Sequence, residues 1–128
     1  MSAQVFSTLL VGRNVEDAWV KRLQSYLAGY GAPDLAQKSQ TIDQLSKKQY
    51  DLIFLDEITL LGDYGLIEQI LQAQPATKVV VVTGATDWRR ARQAFQHRAW
   101  DYVSTDKPEE IMKVVQEATS LLEQKGEG

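Results

Sequence analysis

The chain has 128 residues, 14 lysines and arginines against 17 aspartates and glutamates, a formal charge of -3, and no cysteine. That length supports one core and predicts a single domain over residues 1–128. The missing cysteine removes disulfides, thiolate metal sites and cysteine nucleophiles, and fits a cytoplasmic setting. The mild negative charge gives no global pull toward nucleic acid or an anionic membrane. One histidine, His97, is too few for a histidine-based metal centre or catalytic triad. Met1-Ser2-Ala3-Gln4 lacks the pattern of a signal peptide, and apolar runs such as Val79 to Val82 are too short to span a bilayer.

Strand-like runs alternate with helical periodicity five times. Thr8-Leu9-Leu10-Val11 is a short apolar run ended by Gly12, which predicts a buried strand. Asn14 is the expected N-cap of a first helix with Asp17 in its first turn, a stripe of Val15, Trp19, Leu23 and Leu27, and a stop at Gly29 and Gly31. A weak second strand is expected near Leu35-Ala36. Thr41 and Gln44 predict a capping box for a short helix carrying Ile42 and Leu45.

Leu52-Ile53-Phe54-Leu55 predicts a third strand ending in Asp56. A loop with Leu60 and Leu61 follows, then a third helix capped by Asp63 with a buried stripe of Leu66, Ile67, Ile70 and Leu71. Val79 to Val82, β-branched throughout, predicts a fourth strand ending in Thr83-Gly84. Asp87 starts a fourth helix containing Ala91, Ala94 and Phe95, and Trp100 to Val103 forms a fifth strand. The last helix opens with Asp106 and Glu109 flanking Pro108 and buries Ile111, Val114, Ala118, Leu121 and Leu122. Residues 123–128 are expected to fray.

Strict strand–helix alternation with short connections predicts a doubly wound α/β domain, a parallel five-stranded sheet of order 2-1-3-4-5 covered by helices on both faces. Leu9, Val11, Ile53, Leu55, Val80 and Val82 are the expected core. Ligand sites in such folds lie beyond the carboxyl ends of the central strands. Those ends carry Gly12 and Arg13, Asp56, Thr83 and Thr105. An acid at the tip of a buried strand is hard to explain as packing; the plain alternative is that Asp56 only caps the loop after it.

Three of these segments carry a family likeness. Tyr50-Asp51-Leu52-Ile53-Phe54-Leu55-Asp56, Val79-Val80-Val81-Val82-Thr83-Gly84 and Ala99-Trp100-Asp101-Tyr102-Val103 resemble the third, fourth and fifth strands of a response-regulator receiver domain. The resemblance covers nearly the whole chain. It implies a bacterial two-component signalling module of CheY-like fold, with Asp56 at the phosphoacceptor position and Thr83 and Tyr102 at the switch positions. It also implies protein partners, a histidine kinase or a downstream effector, with self-association into a homodimer left open.

The departures from that pattern point to a degenerate receiver. Where receivers carry two acids that help hold Mg²⁺, this chain has Gly12 and Arg13, and a guanidinium supplies no oxygen ligand. The position of the family's lysine holds Thr105; a shifted register would recruit Lys107 instead. Glu16 and Asp17 more simply serve a helix start, and Glu57 would point away from Asp56 on an extended chain. The expectation is therefore signalling by protein contact, with no cofactor, no enzymatic activity and no Mg²⁺-dependent phosphorylation. Arg13, if turned inward, would face Asp56 as a built-in counter-ion; its long stem also allows it to turn outward.

Two other readings stay open. Asp56 could still accept a phosphoryl group with Mg²⁺ bound, as in an atypical response regulator. A flavodoxin-like cofactor binder would share the topology, but Gly12 to Asp17 offers one glycine and two acids where a phosphate cradle is needed. Trp88, Arg89, Arg90 and Arg92 of the fourth helix are the candidate partner surface, against the plainer reading of a solvated face. No nucleic-acid reading motif accompanies them. Any output module is expected on another chain or elsewhere in a longer protein.

Overall fold

The four consecutive valines at 79–82 and the aliphatic runs at 8–11 and 52–55 have no polar face to show to water, so they pair side by side and are covered on both faces. In the computed structural model, which describes residues 6–13 and 16–127, and side chains as far as 121, they are the three central strands. The strands are β1 (Thr8–Val11), β2 (Asp34–Ala36), β3 (Leu52–Asp56), β4 (Lys78–Thr83) and β5 (Asp101–Ser104). All neighbouring pairs are parallel and the order is β2-β1-β3-β4-β5, as expected.

Side chains alternate across the sheet and feed two cores. Leu9, Val11, Ile53, Leu55, Val79 and Val81 face one side, against Leu66, Ile67 and Ile70 of a helix over Gly65–Ala73. Leu10, Leu52, Phe54, Val80 and Val82 face the other, against Trp19, Val20, Leu23 and Leu27 of α1 (Ala18–Leu27) and Ile111, Val114, Val115 and Ala118 of the C-terminal helix. Each such aliphatic residue, wholly removed from water, contributes about 1.5–3 kcal/mol before conformational entropy is subtracted.

In chain order the remaining helices are α2 (Thr41–Lys47), α3 (Glu57–Leu60), α4 (Gly65–Ala73), α5 (Trp88–Gln96) and α6 (Pro108–Glu127), with a 3₁₀ turn over Lys38–Gln40. Several boundaries differ from expectation. Asn14 and Val15 lie outside the described residues; α1 begins at Ala18 with Asp17 at the N-cap position. The capping box belongs to Gln37 and Gln40 of the 3₁₀ turn, and buried Thr41 donates to the Gln37 carbonyl instead of capping. The segment after Asp56 is the short helix α3, not a loop. Asp63 stands one residue before the N-cap of α4 yet still accepts the Gly65 N–H at 3.2 Å. β5 is shifted by one residue, to Asp101–Ser104. Leu121 is exposed, and α6 runs on to Glu127 through most of the segment expected to fray. No described helix is long and apolar enough to cross a membrane.

Candidate functional site

The strand register brings the candidate residues together. Val11 lies opposite Leu55, and Asp56 opposite Val82, so Gly12, Asp56 and Thr83 meet at the carboxyl ends of three adjacent strands. Gly12 continues the sheet by donating its N–H to the Ala36 carbonyl at 3.1 Å. Asp56 is 8% exposed. Its Oδ1 accepts the Ile58 N–H at 3.3 Å, which makes it the N-cap of α3 as well as the floor of the site. Burial raises its pKa above the ordinary carboxylate value; the Ile58 N–H, the Trp19 indole and, more weakly, Arg13 pull against that, while Asp17 adds to it.

The side of the site formed by β1 and α1 is closed by an aromatic ring. A Cβ placed on Gly12 would come within 3.2 Å of Trp19 Cζ2, so the indole occupies the space a side chain there would need. Trp19 is buried, and its Nε1–H is directed at Asp56 without completing a hydrogen bond, which leaves a buried donor without a partner. The sequence places Trp19 in the apolar stripe of the first helix and does not point to it as a neighbour of Asp56. The missed signal is the pairing of Gly12 with a large aromatic in the first turn of the following helix.

Arg13 is exposed and forms no ion pair with Asp56, so the inward pose is not adopted. A guanidinium keeps most of its hydration at the rim, whereas inside it would face the indole. Thr105 donates its N–H to the Thr83 carbonyl at 2.8 Å, and the Arg22 guanidinium donates to the Thr105 carbonyl at 2.6 Å. Lys107 is exposed, 3.9 Å from Glu110, and takes no part in the site. A Mg²⁺ ion needs several oxygen ligands around one point. Among the described residues no three metal-capable side chains cluster, and Asp56 is the one carboxylate at the strand ends beside Gly12. The residues present do not fit the cation that the family resemblance implies.

The side formed by β4, β5 and α5 is polar and tightly bonded. Because the chain turns into α3 at once, Glu57 is buried and points toward α5. Its carboxylate accepts from Tyr64 Oη at 3.0 Å and from Arg90 Nε at 2.9 Å. The same guanidinium donates to the Ala85 carbonyl in the loop after β4. Thr83 is bound into that loop as well: its Oγ1 accepts the Ala85 N–H at 3.1 Å and lies 3.3 Å from the Ala85 carbonyl. Tyr102 is half-buried; its hydroxyl sits near Glu57 and Arg90 without completing a hydrogen bond, and burial together with the Glu57 charge raises its pKa. Burial and Glu57 likewise raise the Tyr64 pKa.

Arg90, half-exposed, is thus committed to Glu57 and the loop after β4, and Asp87 caps α5 through the N–H groups of Arg89 and Arg90. Trp88 is 69% exposed with the Arg89 guanidinium 5.3 Å above its ring, and Arg92 is exposed beside it. His97 is occupied by the Gln93 carbonyl at 2.9 Å.

Residues 15–117 match the response regulator receiver domain family, a span that begins just past Gly12 and Arg13. Curated protein sequences include none that matches this chain. Among solved structures, a CheY-like receiver domain protein from Methanospirillum hungatei JF-1 is 18% identical, with 98% of this chain and 100% of that one covered and a TM-score of 0.73. An orphan response regulator of H. pylori is 13% identical, covering 91% of this chain and 98% of that one, with a TM-score of 0.76. A CheY-like protein, tadZ, from Pseudomonas aeruginosa PAO1 is 17% identical, covering 88% and 98%, with a TM-score of 0.73. The structural likenesses establish a shared fold; the family match over most of the length establishes that this chain belongs to the response regulator receiver domain family.

Proposed function

We propose that this receiver domain signals through protein contact without Mg²⁺-dependent phosphorylation of Asp56. The observation that carries this reading is the Trp19 ring beside Gly12: a Cβ placed there would come within 3.2 Å of Trp19 Cζ2, so the place after β1 where the family's acids would stand is crowded by an indole. Phosphoryl transfer relies on a cation to neutralise the charge that builds on the transferred group. Asp56 alone provides one carboxylate toward such a cation, and the lysine position holds Thr105. Asp56 then acts as a helix cap and a fixed charge, and Thr83 and Tyr102 keep the switch positions without a phosphoryl group to sense.

The contact surface in this reading is the exposed face of α5, Trp88 with Arg89 and Arg92. An exposed indole flanked by guanidinium groups suits a partner surface with acidic and apolar groups. The partner is a protein of the signalling pathway, a histidine kinase or an effector, and the domain itself performs no catalysis. The test is incubation with Mg²⁺ and a small phosphodonor, followed by intact-mass measurement. No adduct is expected. A phosphoryl adduct on the native chain that disappears in Asp56→Ala would replace this reading with that of an atypical, phosphorylated regulator.

A further inference from the structure

The open side of Asp56 is a cleft of about 580 Å³ between α3 and the start of α5, with Asp56 at its base and Ile58, Leu61, Gly84 and Gln93 among its walls. Its charge is unbalanced. Glu57 and Arg90 compensate one another across 2.9 Å, which leaves the Asp56 carboxylate without an ion-pair partner among the described residues. Neither of the cations expected at this position is available: the metal lacks ligands, and the lysine position is Thr105. A buried charge without a counter-ion is a standing cost that a complementary partner removes on binding.

The rim is apolar and displayed. Leu61 is 83% exposed and Ile58 57% exposed. Leu61 also sits in the left-handed region, at φ 51° and ψ 38°, immediately before Gly62. A side chain bearing a Cβ is disfavoured there, and Leu61 gains no burial in return. At the back of the site, the buried Nε1–H of Trp19 is aimed at the same carboxylate and lacks a partner.

We propose that this cleft receives a lysine or arginine side chain of a partner protein, whose cation pairs with Asp56 while flanking apolar residues pack on Leu61 and Ile58. The partner's cation stands where receivers place their metal and lysine, so contact with the partner takes over the electrostatic role of both. A protein segment suits the cleft better than a free amine because the rim offers apolar contact well beyond the reach of one cationic group. This deepens the contact-signalling reading and rests on it, since a phosphorylated Asp56 would be occupied; the phosphodonor assay tests that premise separately.

The probe is a capped Leu-Arg-Leu peptide, titrated into the full ¹⁵N-labelled chain and followed by NMR. Saturable shifts are expected at the Asp56, Ile58 and Leu61 amides and at the Trp19 indole N–H. Replacing arginine by neutral citrulline should weaken binding about tenfold or more, a difference of about 1.4 kcal/mol. Asp56→Asn should abolish the arginine preference. Leu61→Gly, which relieves the backbone conformation, should weaken binding while leaving the unfolding midpoint at or above that of the parent. Equal binding of the arginine and citrulline peptides, an arginine preference that survives Asp56→Asn, or the absence of saturable shifts around Asp56 would each overturn the proposal. So would free butylguanidinium binding as tightly as the peptide, which would assign the cleft to a small cation.

Discussion

The two walls of the strand-end site are built in opposite ways. The β1 and α1 side is packed: Gly12 makes room for the Trp19 ring, and Arg13 stays in solvent. The β4 and α5 side is a polar network, with Glu57 bonded to Tyr64 and Arg90, and Arg90 bonded onward to the loop that carries Thr83's partner, Ala85. The comparison teaches that one rim of a site can be set by packing and the other by a bonded polar network. An indole lies beside Gly12 on one wall, and on the other Thr83 and Arg90 are tied to the loop after β4.

The largest effect should come from the packed wall. Trp19→Ala removes a buried ring between the sheet and the site and should cost about 3–5 kcal/mol in chemical denaturation followed by circular dichroism. A loss under about 1 kcal/mol would mean that the indole is a loosely held cover, and the contrast between the walls would fail.

The polar wall should respond next. Glu57→Ala leaves Tyr64 Oη and the Arg90 guanidinium without their acceptor and should cost about 2 kcal/mol. Arg90→Met should leave the fold intact while amide exchange quickens through residues 84–87, the loop that Arg90 fastens. Unchanged exchange there would show that the ion pair does not restrain the switch loop.

Asp56 lies between the walls, and its substitution should change sign relative to the others. Burial holds its folded-state pKa above the unfolded one, so the native state binds this proton more tightly. Stability is then favoured in acid and is lost as pH rises from the ordinary carboxylate value through the raised one. Asp56→Asn should therefore stabilise the domain at neutral pH, by up to about 1 kcal/mol because water in the cleft screens the charge, and the difference should vanish in acid. A destabilised variant at neutral pH would mean that Arg13 reaches the carboxylate in solution.

The smallest effect belongs outside both walls. Arg89→Glu and Arg92→Glu, on the exposed face of α5, should change stability by less than about 0.5 kcal/mol. A larger loss would bring that face into the structural network with Arg90.

Much of this fold was legible because its signals are local and strong. The valines at 79–82 and the apolar runs at 8–11 and 52–55, short and bounded by turn residues, read as buried parallel strands, and strand alternation with helices leaves few topologies. The positions of Asp56 and Thr83 followed from the same strand ends, and that of Tyr102 from the family resemblance. What sequence did not show depends on side-chain direction after a break in the regular pattern. Glu57 points to α5 because α3 starts immediately after the strand, where an extended chain would have aimed it elsewhere. Arg90, half-exposed, turns to Glu57 while Arg89 turns to Trp88 and solvent, though they are neighbours, since adjacent helical positions face about 100° apart. Trp19 meets Gly12 only once the first helix has packed back on the sheet. The capping box moved from Thr41 to Gln37 because the 3₁₀ turn intervenes and buries the threonine.

The central claim is that the indole-filled wall leaves no place for the metal. It is tested most directly by titrating Mg²⁺ into the ¹⁵N-labelled chain while following the Trp19 indole N–H, beside Asp56, together with the amides of residues 12, 56 and 83. The account predicts small, non-saturating shifts up to physiological concentrations of the ion. Saturation at sub-millimolar Mg²⁺, with the Trp19 indole resonance moving in step with Asp56, would contradict it.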